Sequence, residues 1–439
     1  MSGRKSLKGI HVVVDAYNLD LPYGTGIKTY GLTLIEALQA LQAQVGVLHA
    51  RPGVKQSNSD ILNSILFVER PDTLHRSGRV RHLTNTAAAV LRCVIGRPCD
   101  AVEVKIGEPK YVVPPSEEGL QNYFRYNSRN CYDTAMRAFY LAGRDFPLRI
   151  PNKVDIWHTT YPMPVSVRGA KKITTLHDCI PFRLPYTTLD DKKRLYRLYR
   201  HAIRTSDLIL TVSENSKADI ALLFDVDPEK IEVAYQPVSV QNLSDEERAS
   251  LAHVLEVRFD LEPDGYILFV GAIEPKKNVK RLIDAYLEID TDLPLVIVGN
   301  KAWLWESQIG HLDSIDALKS GRVQLFGHVP SKDLRYLYGG AHCFVFPSLY
   351  EGFGLPPLEA MTFGVPVVTA NISSLPEVCG DAALYVDPYD TESIRSGIEK
   401  VLADEDVRHR LRVAGKKRVH ALSPEVYVKR LYEVYSAIL

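Results

Sequence analysis

Glu351 and Glu359 stand with seven residues between them in the stretch Glu351-Gly-Phe-Gly-Leu-Pro-Pro-Leu-Glu359. Two carboxylates around a loop containing Gly352 and Gly354 suit a ligand that offers hydroxyl groups and an anion together. The run before them, Cys343-Phe-Val-Phe346, is continuously apolar and reads as a buried strand of a parallel sheet. Pro356 and Pro357 fall at the first turn of a helix. Strand, glycine loop and helix N-terminus turn backbone N–H groups toward an anion or toward sugar hydroxyls. Glu351 is then placed in the loop and Glu359 in the first helical turns, both facing the carboxyl edge of a sheet. A buried strand and a helix alone would require neither carboxylate.

Three more sets could join that chemistry. Lys276 and Lys277 follow Gly271-Ala-Ile-Glu-Pro and precede a helix through Leu287, so ammonium charge and helix dipole would act on the same phosphate. His177 and Asp178 leave the strand Ile173–Leu176 at its carboxyl end, which points into the cleft of an open α/β sheet. His158, at another strand end, reads as structural. Gly24 and Gly26 follow the strand Ile10–Ala16 and open a helix through about Leu41, giving the backbone close approach to a ligand.

Positioning these residues takes two series of alternating strands and helices. The first runs through strands at Ile10–Ala16, Gln44–His49, Val154–His158, Ile173–Leu176, Leu208–Val212 and Ile231–Ala234, with Ser213 as a helix N-cap. The second runs through strands at Tyr266–Val270, Leu295–Gly299, Val323–Gly327, Cys343–Phe346 and Val365–Ala370, with Leu375–Val378 as a turn. The polar segment from Gln241 reads as the linker, and Pro424–Ile438 as a last helix. Residues 51–154 show only a proline bend at Val113–Ser116 and a helix near Tyr132–Ala142. The expected division is 1–240, 241–422 and a terminal helix over 423–439, and each large unit can bury its own core.

The formal net charge of zero hides an asymmetry. Residues 1–206 carry 30 Lys and Arg against 17 Asp and Glu, and the remainder 23 against 36, so the two parts carry +13 and −13. A basic first half suggests an anionic partner such as a lipid phosphate or membrane surface. The basic amphipathic segment Asp190–Arg204 could supply it, or could pack its stripe of Leu195, Leu198, Tyr199, Ala202 and Ile203 on the sheet; the second is preferred. Six cysteines without CxxC spacing read as reduced thiols of a cytoplasmic protein. No signal core and no membrane-spanning run is seen, and no nucleic-acid partner is indicated.

The Glu351-x7-Glu359 stretch, continuing into Ala-Met-x-x-Gly-Val-Pro-Val-Val, resembles the donor-site signature of glycosyltransferase family 4. The resemblance covers most of 10–45 and 155–438. It implies the α/β GT-B fold, two Rossmann-like βαβ domains facing a cleft with a C-terminal helix crossing back, and retaining transfer from a nucleotide-diphosphate sugar. By that likeness Glu359 holds the ribose hydroxyls and Glu351 the donor sugar, His177 contacts the transferred sugar, and Lys277 neutralises the leaving diphosphate, with Lys276 beside it. Gly24 and Gly26 match the family's glycine loop near the pyrophosphate, though this chain has Gly24-Thr-Gly26 where a Gly-Gly pair is usual. Val329, in Phe326-Gly-His-Val-Pro330, falls in the base-binding loop; Gly352, Phe353, Gly354 and Leu355 complete the donor site. No metal and no cofactor are implied.

An arginine common in the family near Ala272–Glu274 is missing, which leaves Lys276 or an N-terminal arginine to replace it. The Glu-Pro-Lys-Lys-Asn string is similar to bacterial polysaccharide mannosyl- and rhamnosyltransferases. GDP-mannose is therefore favoured over dTDP-rhamnose or UDP-sugars, with a glycan or lipid-linked acceptor and peripheral membrane contact. A sugar-nucleotide epimerase and a catalytically silent subunit of the same fold are the alternatives.

Overall fold

The structure is a computed structural model describing residues 6–21, 26–51, 67, 90–91, 95–105, 123–238, 240–310 and 317–439. Gly24, Cys93 and the bend at 113–116 lie outside the described residues.

The first sheet is built from β1 (His11–Asp15), β2 (Gln44–His49), β4 (Val102–Glu103), β5 (Phe124–Asn127), β7 (Ile156–Thr159), β9 (Lys171–Thr175), β10 (Leu208–Thr211) and β11 (Ile231–Val233). Their order is β11-β10-β9-β7-β1-β2-β5-β4, parallel except for the β4–β5 pair. Val12, Val13 and Val14 are fully buried, as an apolar run covered on both faces must be. Three short strands, β3 (Cys99–Asp100), β6 (Phe146–Arg149) and β8 (Val165–Val167), form a separate sheet that the sequence did not announce.

The second sheet comprises β12 (Ile267–Val270), β13 (Leu295–Val298), β14 (Val323–Phe326), β15 (Cys343–Phe346), β16 (Val367–Ala370) and β17 (Ala383–Val386). All its pairs are parallel, in the order β14-β13-β12-β15-β16-β17. This is the doubly wound α/β arrangement expected, twice over. In each sheet the chain starts at an inner strand, builds to one side, then returns to build the other. The reversal falls between β12 and β15 in the second sheet and between β1 and β7 in the first. Such reversals leave a crevice at the carboxyl ends of the strands.

Two local readings need correction. Leu375–Cys379 is a short helix rather than a turn, with Ser374 Oγ turned back onto the Glu351 and Phe353 carbonyls. The expected linker forms helix from Asp245, because Ser244 and Glu247 make a reciprocal capping box. The basic helix Lys192–Thr205 buries its apolar stripe, Leu195, Leu198, Tyr199, Ala202 and Ile203. Its charged side faces solvent, with Lys193, Arg194, Arg197, Arg200 and Arg204 exposed. Cys131, Cys179, Cys343 and Cys379 are buried free thiols.

The last helix, Pro424–Ile438, packs on Gly26–Ala40 at the first sheet. Arg430 ties it there through Glu232 at 2.5 Å and the Val233 carbonyl at 2.8 Å.

Candidate active site

The crevice between β12 and β15 gathers charge. Lys277 Nζ lies 2.6 Å from Glu351 Oε1, and Ser348 Oγ donates to the same oxygen at 2.6 Å. The two loops are tied through their backbones as well, Leu349 N donating to Lys276 O at 2.7 Å. Ser373 Oγ receives the Glu351 N–H at 3.1 Å. Burial acts to raise the Glu351 carboxyl, but Lys277, Lys276 and the Lys277 and Ser348 hydrogen bonds outweigh it and hold the group below its ordinary value. Glu351 is therefore a buried, ionised carboxylate whose countercharge is Lys277. Lys276 stands beside Glu274 at 3.3 Å. Burial lowers its ammonium, yet Glu274, Glu351 and Asp178 together carry it above the usual lysine value.

Gly354 opens the helix Leu355–Thr362 at φ +106°, a conformation that glycine adopts without strain. Glu359 sits on that helix with separate support: Tyr338 Oη donates to its Oε2 at 2.8 Å. Burial raises the Glu359 carboxyl despite that bond. The two glutamates thus differ in kind, one fixed by cations and one held by a neutral phenol.

On the facing sheet His177 follows β9. Its Nε2 lies 3.0 Å from the Thr160 carbonyl, and a carbonyl only accepts, so Nε2 carries the proton and Nδ1 keeps its lone pair. Burial pushes this imidazole down to about 4, so it is neutral at pH 7. The Tyr30 ring meets it edge-on at 4.7 Å. Behind lies a chain of hydrogen bonds. Tyr30 Oη and His158 Nε2 reach Thr175 Oγ1 at 2.9 and 2.7 Å, and His158 Nδ1 bonds Tyr435 Oη of the last helix. His158 is fully buried and pushed down to about 3, first by burial and then by His177, which is the structural role expected. Asp15, at the end of β1, accepts from the Thr160 and Tyr17 amides and is raised by burial to about 6.

The two walls touch. A Cβ on Gly352 would lie 2.8 Å from the His177 carbonyl oxygen and 2.9 Å from Asp178 Cβ, so only glycine lets the loop approach this far. Ser213 Oγ donates to the Gly352 carbonyl at 2.7 Å, and Ser216 Oγ to that of His177 at 3.0 Å. Glu377 accepts the Glu214 and Asn215 amides at 2.6 and 3.0 Å, completing the N-terminus of the helix Glu214–Phe224 from the opposite wall. Asn215 also donates to Tyr350 Oη at 2.9 Å, and Tyr350 donates to Asp219.

Of the residues singled out from sequence, Lys276, Lys277, Glu351, Gly352 and His177 converge. Gly26 begins its helix as expected. Phe353 turns to Tyr235, with ring centroids 6.1 Å apart, and Leu355 packs into the core. Val329 lies beyond β14, two strands from β12. Ser216, Glu377 and Tyr350 were missed; the Ser213-Glu-Asn-Ser216 string was the available signal, in which Ser213 was read as a cap. No group of three or more metal-ligating side chains occurs among the described residues.

The profile described as "Glycosyl transferases group 1" matches residues 257–418, and that of "Glycosyltransferase Family 4" matches 94–242. The O-antigen chain mannosyltransferase B of Escherichia coli is 38% identical over 252 residues, 55% of this chain and 64% of that protein. The O-antigen chain mannosyltransferase RfbU of Salmonella typhimurium is 30% identical over 268 residues, 60% of this chain and 69% of its own. The first of these alignments thus spans less than two thirds of its relative. Among solved structures, sucrose-phosphate synthase from Thermosynechococcus elongatus superposes with a TM-score of 0.64 at 17% identity, over 98% of this chain and 99% of that one, a likeness of fold.

Proposed function

We propose, because the chain belongs to glycosyltransferase family 4, that it transfers a hexose from a nucleotide-diphosphate sugar to a glycan acceptor in polysaccharide synthesis. The observation that carries this reading is the crevice between β12 and β15, where Lys276, Lys277 and the Gly352–Gly354 loop lie against His177. Breaking a sugar–phosphate bond leaves charge on the departing diphosphate, and fixed cations and N–H groups stabilise it most where water is excluded. Lys277, with Lys276 in place of the family's missing arginine, supplies that charge. Glu351, ionised and immobile, suits hydroxyls of the donor sugar. Glu359 suits the ribose, and the loop at Val329 the base. His177 Nδ1 offers an acceptor to the hydroxyls of the transferred sugar.

Mannose is the favoured sugar and GDP the favoured carrier, because two relatives that align here are called mannosyltransferases. Transfer with retention, no metal requirement and a division into an acceptor unit (1–240), a donor unit (241–422) and a returning helix (423–439) complete the proposal. The exposed cations of Lys192–Thr205 suit peripheral contact with an anionic membrane surface through charge alone, the apolar stripe being buried. No helix among the described residues is long and apolar enough to cross a membrane.

The test is calorimetric titration with GDP, UDP and dTDP in the presence of a chelator, followed by turnover of the sugar nucleotide that binds. GDP should bind and GDP-mannose should be turned over. Binding of another nucleotide alone would reassign the donor, and binding of none would overturn the transferase reading.

A further inference from the structure

Asn278 follows Lys277 and stands directly before the helix Val279–Leu287. An asparagine there ordinarily caps the helix by accepting a hydrogen bond from one of its first amides, but this one makes no such bond. Its backbone is left-handed at φ +60°, a conformation that asparagine enters more readily than most residues. That break sets the turn Pro275–Lys277 apart from the helix, so the two lysines do not continue along it.

The side chain turns to the neighbouring loops instead. Its Nδ2 donates to the Pro347 carbonyl at 3.1 Å and to the Pro388 carbonyl at 2.7 Å. Its Oδ1 accepts from Arg281 Nη1 at 2.9 Å. Both N–H groups of the amide are thus engaged, in a residue only 4% exposed. Pro347 leaves β15 on the way to Glu351, and Pro388 follows β17, so one amide ties the loop after β12 to two others. A second tie lies two residues earlier, where the Lys276 carbonyl accepts from Leu349 N at 2.7 Å and from Ser348 Oγ at 3.0 Å. Lys277 stands between the two ties, its Nζ 2.6 Å from Glu351 Oε1.

We propose that Asn278 is a positioning residue for the transfer: its side chain clamps the backbone of Lys277 to the loops leaving β15 and β17, and so aims the ammonium at the leaving diphosphate. The inference rests on the transferase reading and adds to it the group that orients the cation. A lysine ammonium is a point charge on a flexible four-carbon stem, whereas charge developing on a leaving group is best stabilised by groups fixed before the reaction. Glycine would adopt the same φ without strain but would offer neither carbonyl a donor. The side chain, not the turn, is therefore what the geometry singles out.

The experiment is steady-state turnover by the full chain of GDP-mannose, and of UDP and dTDP sugars, compared across Asn278→Gly, Lys277→Met and the double variant. Asn278→Gly keeps the left-handed turn and should lower kcat about 100-fold, the scale of a displacement of about 1 Å at a reacting group. The double variant should lie within about threefold of Lys277→Met alone, because a cation that is absent cannot be misplaced. A merely structural role would slow both backgrounds by the same factor. Where Asn278→Gly fails to fold, Asn278→Ser, with a shorter side chain and a single donor, carries the same cycle. A folded Asn278 variant with kcat close to wild type, or a loss repeated in full on the Lys277→Met background, overturns the proposal and leaves the transferase reading in place. Turnover of no sugar nucleotide by the wild type removes both.

Discussion

The two walls of the cleft achieve fixed geometry by opposite means. The wall from the second sheet is ionic: Lys276, Lys277, Glu274 and Glu351 face one another across distances of 2.6 to 3.3 Å. The wall from the first sheet holds His177 with a carbonyl, and His158 with a threonine and a tyrosine, none of them charged. The gross charges run the other way, +13 over residues 1–206 and −13 over the rest. Among the described residues the basic half sets Lys193, Arg194, Arg197, Arg200 and Arg204 on the solvent side of Lys192–Thr205, while the acidic half carries Lys276 and Lys277 at the crevice. Charge summed over a domain describes its surface; the charge that meets a ligand is set by a few buried pairs.

The contrast makes Lys277 the most consequential residue to remove. In Lys277→Met the Glu351 carboxylate stays buried with its principal partner gone, which should cost ~3 kcal/mol of stability. Turnover should fall ~1000-fold with the loss of diphosphate neutralisation. Adding Glu351→Gln should recover most of the melting temperature and none of the turnover. Recovery of turnover in the double variant would show that Lys277 serves only to neutralise Glu351. His177→Ala, on the neutral wall, should lower kcat ~100-fold while GDP affinity stays put. A kcat close to wild type would move the sugar contact elsewhere.

Acid should expose the same difference. His177 and His158 have folded values of about 4 and 3, below the ordinary 6.5, so each keeps the fold stable above pH 6.5 and withdraws that contribution as pH falls. Asp15, raised to about 6 from 3.8, works in the opposite sense, favouring the fold as pH falls through 6. Between pH 6 and 4 unfolding takes up two protons at the histidines and releases one at Asp15. For these three groups the net uptake is one proton, a contribution of ~1.4 kcal/mol of stability lost per unit fall in pH. Denaturant midpoints across this range for wild type and His158→Gln read the slope, and the variant's should be shallower by ~1.4 kcal/mol per pH unit. An unchanged slope in the variant would mean that His158 is charged in the fold.

How far these features could be read in the sequence also differs between the walls. Strand Cys343–Phe346 and helix Pro424–Ile438 were placed to the residue, because an unbroken apolar run and a proline at a helix start leave little choice. Lys276, Lys277 and Glu351 were legible because each lies on the loop that leaves an inner strand. The pairing of Lys277 with Glu351 across 74 positions was not, since it depends on β12 and β15 being neighbours. On the other wall, Asp15, Tyr17, Thr160 and Tyr161 look ordinary one at a time. Only the β1–β7 pairing brings them together, and paired residues such as Val12 and Ile156 are 144 positions apart. The strands β3, β6 and β8 were missed for a simpler reason: two to four residues are too few to show a period.

Glu359 and Tyr338 allow a milder comparison within the second sheet's wall. Glu359→Gln keeps the shape and the Tyr338 contact but removes the charge, so GDP affinity should weaken only ~10-fold, the loss expected of one charge-assisted hydrogen bond to a ribose hydroxyl. Calorimetry decides it, and an unchanged affinity would leave Glu359 as a packing residue.

The smallest effect is expected where the last helix supports the neutral wall. Tyr435→Phe removes the hydroxyl that meets His158 Nδ1 and leaves that nitrogen unpaired in a fully buried setting. An orphaned buried polar atom costs ~1–2 kcal/mol, which for a chain of this size lowers the melting temperature by ~1–2 °C. His177 touches Tyr30, and Tyr30 reaches His158 through Thr175, so two residues and three contacts lie between the lesion and the cleft. Little of the change should reach the reaction, and kcat should drop less than about threefold. A loss of kcat as large as that of His177→Ala would make the Tyr435–His158–Thr175–Tyr30 chain part of the catalytic apparatus, and the returning helix would then hold the active site as well as the fold.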